Sequence, residues 1–251
     1  MSRSNPTQNA QNPSNRFYEW NGEEGVLRYF DKAKKENVNA PAKFIFIVLD
    51  ELSTIRGWHE RSKSGIFANE VRDTTTDPFV VKAFKGGVLA EGLYRAIKDR
   101  TYSAGGKFTA NVYIAYREGK GPLQIGALQL HGASLNAWVE FRKANRKALY
   151  EKAVKIDGFK KGKKGKIEFK VPVFAITEVS EETNESAKTL DNEELQPYLL
   201  AYLSKRVSER ADASVQDDAP ADNQEAPPDD DSPPPSDDEP ETPPEGDDVP
   251  F

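Results

Sequence analysis

The sequence predicts a mainly β chain, folded as a small antiparallel Greek-key barrel with helices inserted between its strands. Three observations lead there: five or six short runs of strand-forming residues, a helical stretch between the third and fourth, and no regular alternation of strand and helix. Lys43–Arg61 (KFIFIVLDELSTIRGWHER) opens as a continuous apolar run and then alternates, long enough for one bent strand. Gly65–Val71 (GIFANEV) and Pro78–Phe84 (PFVVKAF) flank the turn-like DTTTD. Val88–Arg100 places Leu89, Leu93, Ala96 and Ile97 on one helical stripe, with Gly92 as its weak point. Lys107–Gly119 and Leu123–Leu130 read as strands, the second alternating cleanly. Ser134–Tyr150 reads as a helix that opens on a capping serine and buries Leu135, Trp138, Phe141 and Leu149. Gly165–Val179 reads as a last strand, with Pro172 marking an edge or bulge. A third helix near Asp191–Arg206 carries Leu195, Leu199, Leu203 and Val207, its regular part beginning at Pro197. A barrel of this kind matches the OB-fold, which binds oligonucleotides across its face, though a sandwich or an α+β sheet leaves similar traces.

Charge divides the chain more sharply than hydropathy does. Residues 211–251 hold eleven Asp, four Glu and no Lys or Arg, a charge of −15; against −6 for the whole chain this leaves +9 for residues 1–210. The acidic, proline-rich segment cannot bury enough apolar surface to offset its ordering entropy, so 211–251 is expected to be a disordered tail. The polar residues 1–15 are expected to be a disordered arm, which leaves 16–210 as the folded domain. A basic domain favours a polyanionic partner, nucleic acid being the commonest. The chain has no cysteine, which excludes disulfides, thiolate metal sites and thiol catalysis and fits a reducing cytoplasm. No run of about 18 apolar residues suits a membrane span, and the N-terminus has no apolar signal core.

An enzyme finds little support. The Gly-Lys pairs at Gly106, Gly119, Gly162 and Gly165 lack the spacing of a phosphate-cradling loop, and His59 and His131 have no second ligand at metal spacing. Asp50 with Glu51, or Glu70 with Asp73, are candidates for a Mg²⁺-dependent nuclease, but adjacent strand residues point to opposite faces. No catalytic residue, cofactor or metal is expected.

Binding finds more. Lys160, Lys161, Lys163, Lys164 and Lys166 crowd a glycine-broken loop, suited to neutralising phosphates without reading sequence. Phe159 at its base is either a stacking residue or a core anchor. In RGWHER, Arg56 and Trp58 share one strand face, with Arg61 and Lys63 following: an aromatic for bases beside cations for phosphates. Tyr102, Tyr113 and Tyr116 are further stacking candidates, the last two on opposite faces of their strand. Arg72, Lys82 and Arg117 are candidate groove cations, and Arg142, Lys143, Arg146 and Lys147 form a basic helix face.

The tail closes on Asp247, Asp248, Val249, Pro250 and Phe251. A basic domain followed by an acidic, proline-rich tail with this tip resembles the single-stranded DNA-binding proteins (SSBs) of bacteria and their phages, whose tails end in several Asp followed by Ile-Pro-Phe. Phe174–Leu203 also resembles uncharacterised phage SSB-like proteins. The resemblance implies an OB-fold that coats single-stranded DNA without sequence preference during replication, recombination and repair, in the cytoplasm of a bacterial host. It implies that the tip docks replication and repair proteins such as a polymerase, helicase, primase or nuclease. There Phe251 fills an apolar pocket while its carboxylate and the Asp residues meet partner Arg or Lys. The −15 tail is also expected to compete with DNA for the +9 domain, less so in salt. Two other readings stay open: a recruitment adaptor that borrows an SSB-like tip, and a nuclease or recombinase with such a tail.

Overall fold

A computed structural model describes residues 11–204. The expected tail, its tip and the first ten residues lie outside the described residues. Among the described residues, eleven strands form one mixed sheet, with four α-helices against it. The strands are β1 (Arg16–Asn21), β2 (Val26–Asp31), β3 (Glu36–Asn39), β4 (Ile45–His59), β5 (Ser64–Ala68), β6 (Phe79–Ala83), β7 (Gly87–Gly92), β8 (Gly106–Arg117), β9 (Leu123–His131), β10 (Ala153–Lys164) and β11 (Ile167–Thr177). The helices are α1 (Tyr94–Ser103), α2 (Gly132–Ala144), α3 (Glu181–Leu190) and α4 (196–204). The main path runs β3-β2-β1-β9-β8-β4-β5-β6-β7, with β10 pairing β11 and β4.

Two features depart from the expected antiparallel barrel. The path is open, and β1 pairs with β9 in parallel, Arg16 opposite Gly126 and Glu19 opposite Gln129. Residues 11–15, expected in the arm, lead into that pairing: the Asn15 N–H donates to the Ile125 carbonyl at 2.8 Å.

β4 organises the sheet. One of its edges pairs with β8 from Phe46 to Gly57. The other is shared: β10 takes Ile45 and Phe46, Val71 bridges Ser53, and β5 takes Arg56 to His59. A bulge between Val48 and Asp50 re-aims the strand. The continuous apolar opening of β4 follows from cover on both faces: Phe46 packs in the core with Trp138, and Ile47 packs on the other side with Ala187 of α3.

The largest core lies under α2 and the β10–β11 hairpin. Tyr18, Phe46, Val112, Ile114, Tyr116, Leu128 and Trp138 meet there. Gly126 leaves room for it, since a Cβ there would sit 2.9 Å from the Tyr116 ring. On the opposite face, Leu195, Tyr198 and Leu199 cover Leu52, Tyr113, Ile125 and Ala127. A third cluster, Ile55, Ile66, Phe79, Val81 and Ile97, packs α1 against β4, β5 and β6.

The predicted helix at Val88–Arg100 is corrected at its first half. Gly87–Gly92 is β7, and α1 begins only at Tyr94, because Gly92 at φ 138° turns the chain between them. The lysine segment is a regular hairpin rather than a flexible loop. Gly162 stands opposite Phe169, where a Cβ would meet the ring at 2.5 Å, so the glycine is the seat for that ring. Ser180 caps α3, accepting the Thr183 N–H at 3.2 Å, as its position before Glu181 and Glu182 favours. The helix continues through a π turn, Asp191–Leu195, into α4. That turn precedes Pro197, whose missing N–H cannot continue the ladder.

Candidate nucleic-acid interface

The sheet face that carries α4 at one end is bare at the other. There a groove of about 690 Å³ is lined by Phe17, Phe30, Arg56, Trp58, Lys107 and His131, among others. Strand register explains the assembly. Phe17 and Glu19 alternate with the buried Tyr18 and Trp20, so β1 turns one aromatic pair into the core and leaves Phe17 outside. Arg56 stands opposite Lys107, and Thr109 opposite His131, placing β4, β8 and β9 side by side. Phe30 and Trp58 are 57% and 54% exposed, a large apolar area for side chains that nothing covers. Gly105 and Gly57 let the backbones close up beneath Trp58: a Cβ at either would collide with the other strand's backbone.

The groove is not uniformly cationic. Glu19 lines it, held by Arg28, whose Nε donates to Oε1 at 2.8 Å. Burial, and then Lys107, push the His131 pKa below its ordinary value against the pull of Glu19, so the ring is neutral at pH 7. The floor therefore offers aromatic faces, neutral polar groups and the Glu19–Arg28 pair, with Arg56 and Lys107 as its exposed cations.

A second hollow of about 510 Å³ shares His131 with the first and is lined by Trp20, Asn136, Lys164, Phe169 and Lys170. It is lined in part by the basic hairpin, on which Lys160, Lys161, Lys163, Lys164 and Lys166 are all exposed. Phe159 is half-exposed, with the Lys170 ammonium 5.1 Å from its ring centroid, and it packs where a Gly25 side chain would otherwise go. It anchors the hairpin base.

Several predicted residues are placed elsewhere. Tyr113 and Tyr116 are buried at 0% and 1% exposure, and stacking by either is corrected: α4 covers one, and the rings of Tyr18 and Phe44 pack on the other. Tyr102 is exposed on α1 but lies outside the groove lining. Arg72 is engaged by Asp50, its Nη1 and Nη2 donating at 2.9 and 2.7 Å. Arg117 is exposed at the far end of β8, ten residues from Lys107, roughly 33 Å away along the strand. Arg61 and Lys63 lie in the β4–β5 turn, Lys63 paired with Glu60. On α2, Arg142 Nη1 donates to Glu51 Oε1 at 2.7 Å and Lys143 is exposed; Arg146 and Lys147 are exposed beyond its end at Ala144, so the expected basic helix face is shorter. Lys82 remains exposed on β6. Sequence reasoning missed Phe17, Phe30 and Lys107.

The acidic candidates hold the fold together. Asp50 and Glu51 point to opposite faces, Glu51 accepting from Trp138 Nε1 at 3.0 Å. Glu70 accepts from Asn111 Nδ2 at 2.9 Å and from the Tyr113 hydroxyl at 2.7 Å, and its own N–H donates to Tyr202 of α4. Burial raises Glu70 above the ordinary carboxylate range despite these donors. Among the described residues, no three His, Asp or Glu side chains are grouped to hold a metal, and no helix is long and apolar enough to cross a membrane.

Asp50 behaves oppositely to Glu70. Burial lifts its pKa, but Arg72, the Glu51 N–H and Gln196 outweigh burial and hold it below the ordinary value of 3.8. Its contribution is therefore complete above that value and lost as the pH falls through the lowered one. Arg72→Ala is expected to destabilise by about 1–2 kcal/mol at pH 7, discounted because Arg72 is half exposed. The gap to the unmodified protein should close below the ordinary carboxylate pKa. Urea midpoints across pH check this, and a gap that persists undiminished at acid pH would disprove the linkage.

Compared with known proteins, the chain matches no family profile, no curated protein and no solved structure.

Proposed function

We propose that the chain binds single-stranded DNA without sequence specificity, laying bases on Phe17, Phe30 and Trp58 and phosphates along Arg56, Lys107 and the hairpin lysines. The carrying observation is the gathering of three exposed aromatics and two exposed cations on one uncovered sheet face. Single-strand binding asks for that pairing of π-faces and cations, and base–aromatic stacking contributes about 1–3 kcal/mol per base. The +9 charge of residues 1–210 supplies the long-range attraction. The sheet also supports an OB-fold reading: β4 is one long, bulged strand shared between two sets of partners, as a strand that passes through both halves of a small barrel must be. In the same reading the acidic segment 211–251 recruits replication and repair proteins through Asp247, Asp248, Val249, Pro250 and Phe251.

Trp58 provides a direct readout, because the other two tryptophans, Trp20 and Trp138, are 8% and 0% exposed. Titration of the full chain with poly(dT) at several salt concentrations should quench the tryptophan signal, bind more tightly than duplex, and weaken linearly in log salt. Arg56→Ala/Lys107→Ala should reduce that slope by about 1.4, roughly 0.7 for each phosphate that is no longer neutralised. Equal affinity for duplex and single strand, or no quenching at saturation, would reject the groove as the site. Absence of single-strand binding altogether would favour the adaptor reading.

A further inference from the structure

We propose that the β5–β7 wing carries a second base-stacking subsite, formed by Phe67 and Phe84 with Lys82, over which a strand bound in the groove continues. This rests on the single-strand reading of the groove. The register makes the two surfaces one face. Arg56, which lines the groove, stands opposite Phe67, and Phe67 stands opposite Lys82. Directly opposed residues of paired strands share a face. One step further along, Trp58 stands opposite Gly65, and the Phe84 N–H donates to the Gly65 carbonyl at 3.0 Å. Gly65 therefore leaves no side chain between Trp58 on β4 and Phe84 beyond β6.

The wing has the composition of the groove. Phe67 is 39% and Phe84 82% exposed, their ring centroids lie 5.8 Å apart edge-to-face, and Lys82 and Lys85 are exposed beside them. An exposed phenylalanine pair with lysines beside it is complementary to a stacked polyanion, and the exposed Glu91 of this face stands on β7, opposite Val80. From Phe30 on β2 to Lys82 on β6 is six strand steps, about 29 Å along the sheet at ~4.8 Å each. The strand thus runs across the β-strands, with Trp58 two thirds of the way along its path.

Oligo(dT) of increasing length, end-labelled and followed by anisotropy with the full chain, tests this. The unmodified protein should gain affinity over two length ranges, the first filling the groove and the second the wing. Phe67→Ala/Phe84→Ala should match it on the shortest binding oligomers and lose about 5-fold or more on the longest. Lys82→Ala should lower the salt slope by about 0.7 on long oligomers only. The alternative occupant is a second copy of the chain. If sedimentation shows that the double variant lowers the oligomeric state while its length dependence follows the unmodified protein, the subsite is overturned and the wing is a self-association surface. A length dependence unchanged without any change of assembly also overturns it. Loss of short-oligomer binding in Phe30→Ala/Trp58→Ala upholds the groove whichever way the wing result falls. Failure of the unmodified protein to bind any oligomer rejects both.

Discussion

Replacing Phe30 and Trp58 together by alanine is expected to weaken single-strand binding by about 2–6 kcal/mol, roughly 30-fold to more than 10,000-fold, with no loss of folding stability. The two rings are the most exposed in the groove, so their removal opens no cavity. What disappears is the π-surface on which bases lie. The cations remain, so the residual affinity should keep its salt slope and become indifferent to base identity. Anisotropy titration of the double variant, with a urea denaturation curve alongside, separates the two quantities. A variant that binds within 3-fold of the unmodified protein, while equally stable, would remove the groove from contention.

Trp138→Ala is expected to have the largest effect on the fold, about 3–5 kcal/mol. Trp138 is completely buried, contacts Phe46, Phe141 and Phe174, and gives Glu51 one of its two donors. Alanine leaves a ring-sized void and a carboxylate paired only with Arg142. Against a typical total of about 5–15 kcal/mol, this places the protein near the unfolding threshold. Trp138→Phe keeps most of the volume and loses the Nε1 donor, so it should cost less. The shift in urea midpoint reads both, and equal shifts for the two would mean that the hydrogen bond, not the ring, is what matters there.

The part of the groove visible in the sequence is the part that local alternation encodes. Arg56 and Trp58 lie two apart on one strand, and period two puts them on one face. Phe17 and Phe30 reach the same groove through pairings that no short window contains: β1 with β9 in parallel, and β2 with β1. The alternation of Phe17 and Glu19 with Tyr18 and Trp20 is a usable signal, since only one of the two pairs can face a core. Tyr113 and Tyr116 show the converse. Alternation separates two faces but does not reveal that both are covered, here by α4 on Tyr113 and by Tyr18 and Phe44 on Tyr116. The misread helix at Val88 has a similar cause. Leu89 and Leu93 keep helical spacing across Gly92, where the chain in fact turns from strand to helix.

The parallel pairing of β1 with β9 sets a timetable for synthesis. Arg16 finds its partner at Gly126, so β1 must wait while about a hundred further residues are made, some 5–20 s at ordinary ribosomal rates. During that interval β1 has only the β2–β3 meander for company, and Tyr18 and Trp20 have no layer to cover them. The segment that leaves the ribosome early is thus among the last to be buried, and the nascent chain presents a sticky aromatic surface to whatever holdase is nearby until β9 has paired with it and the β10–β11 hairpin has followed to cover it.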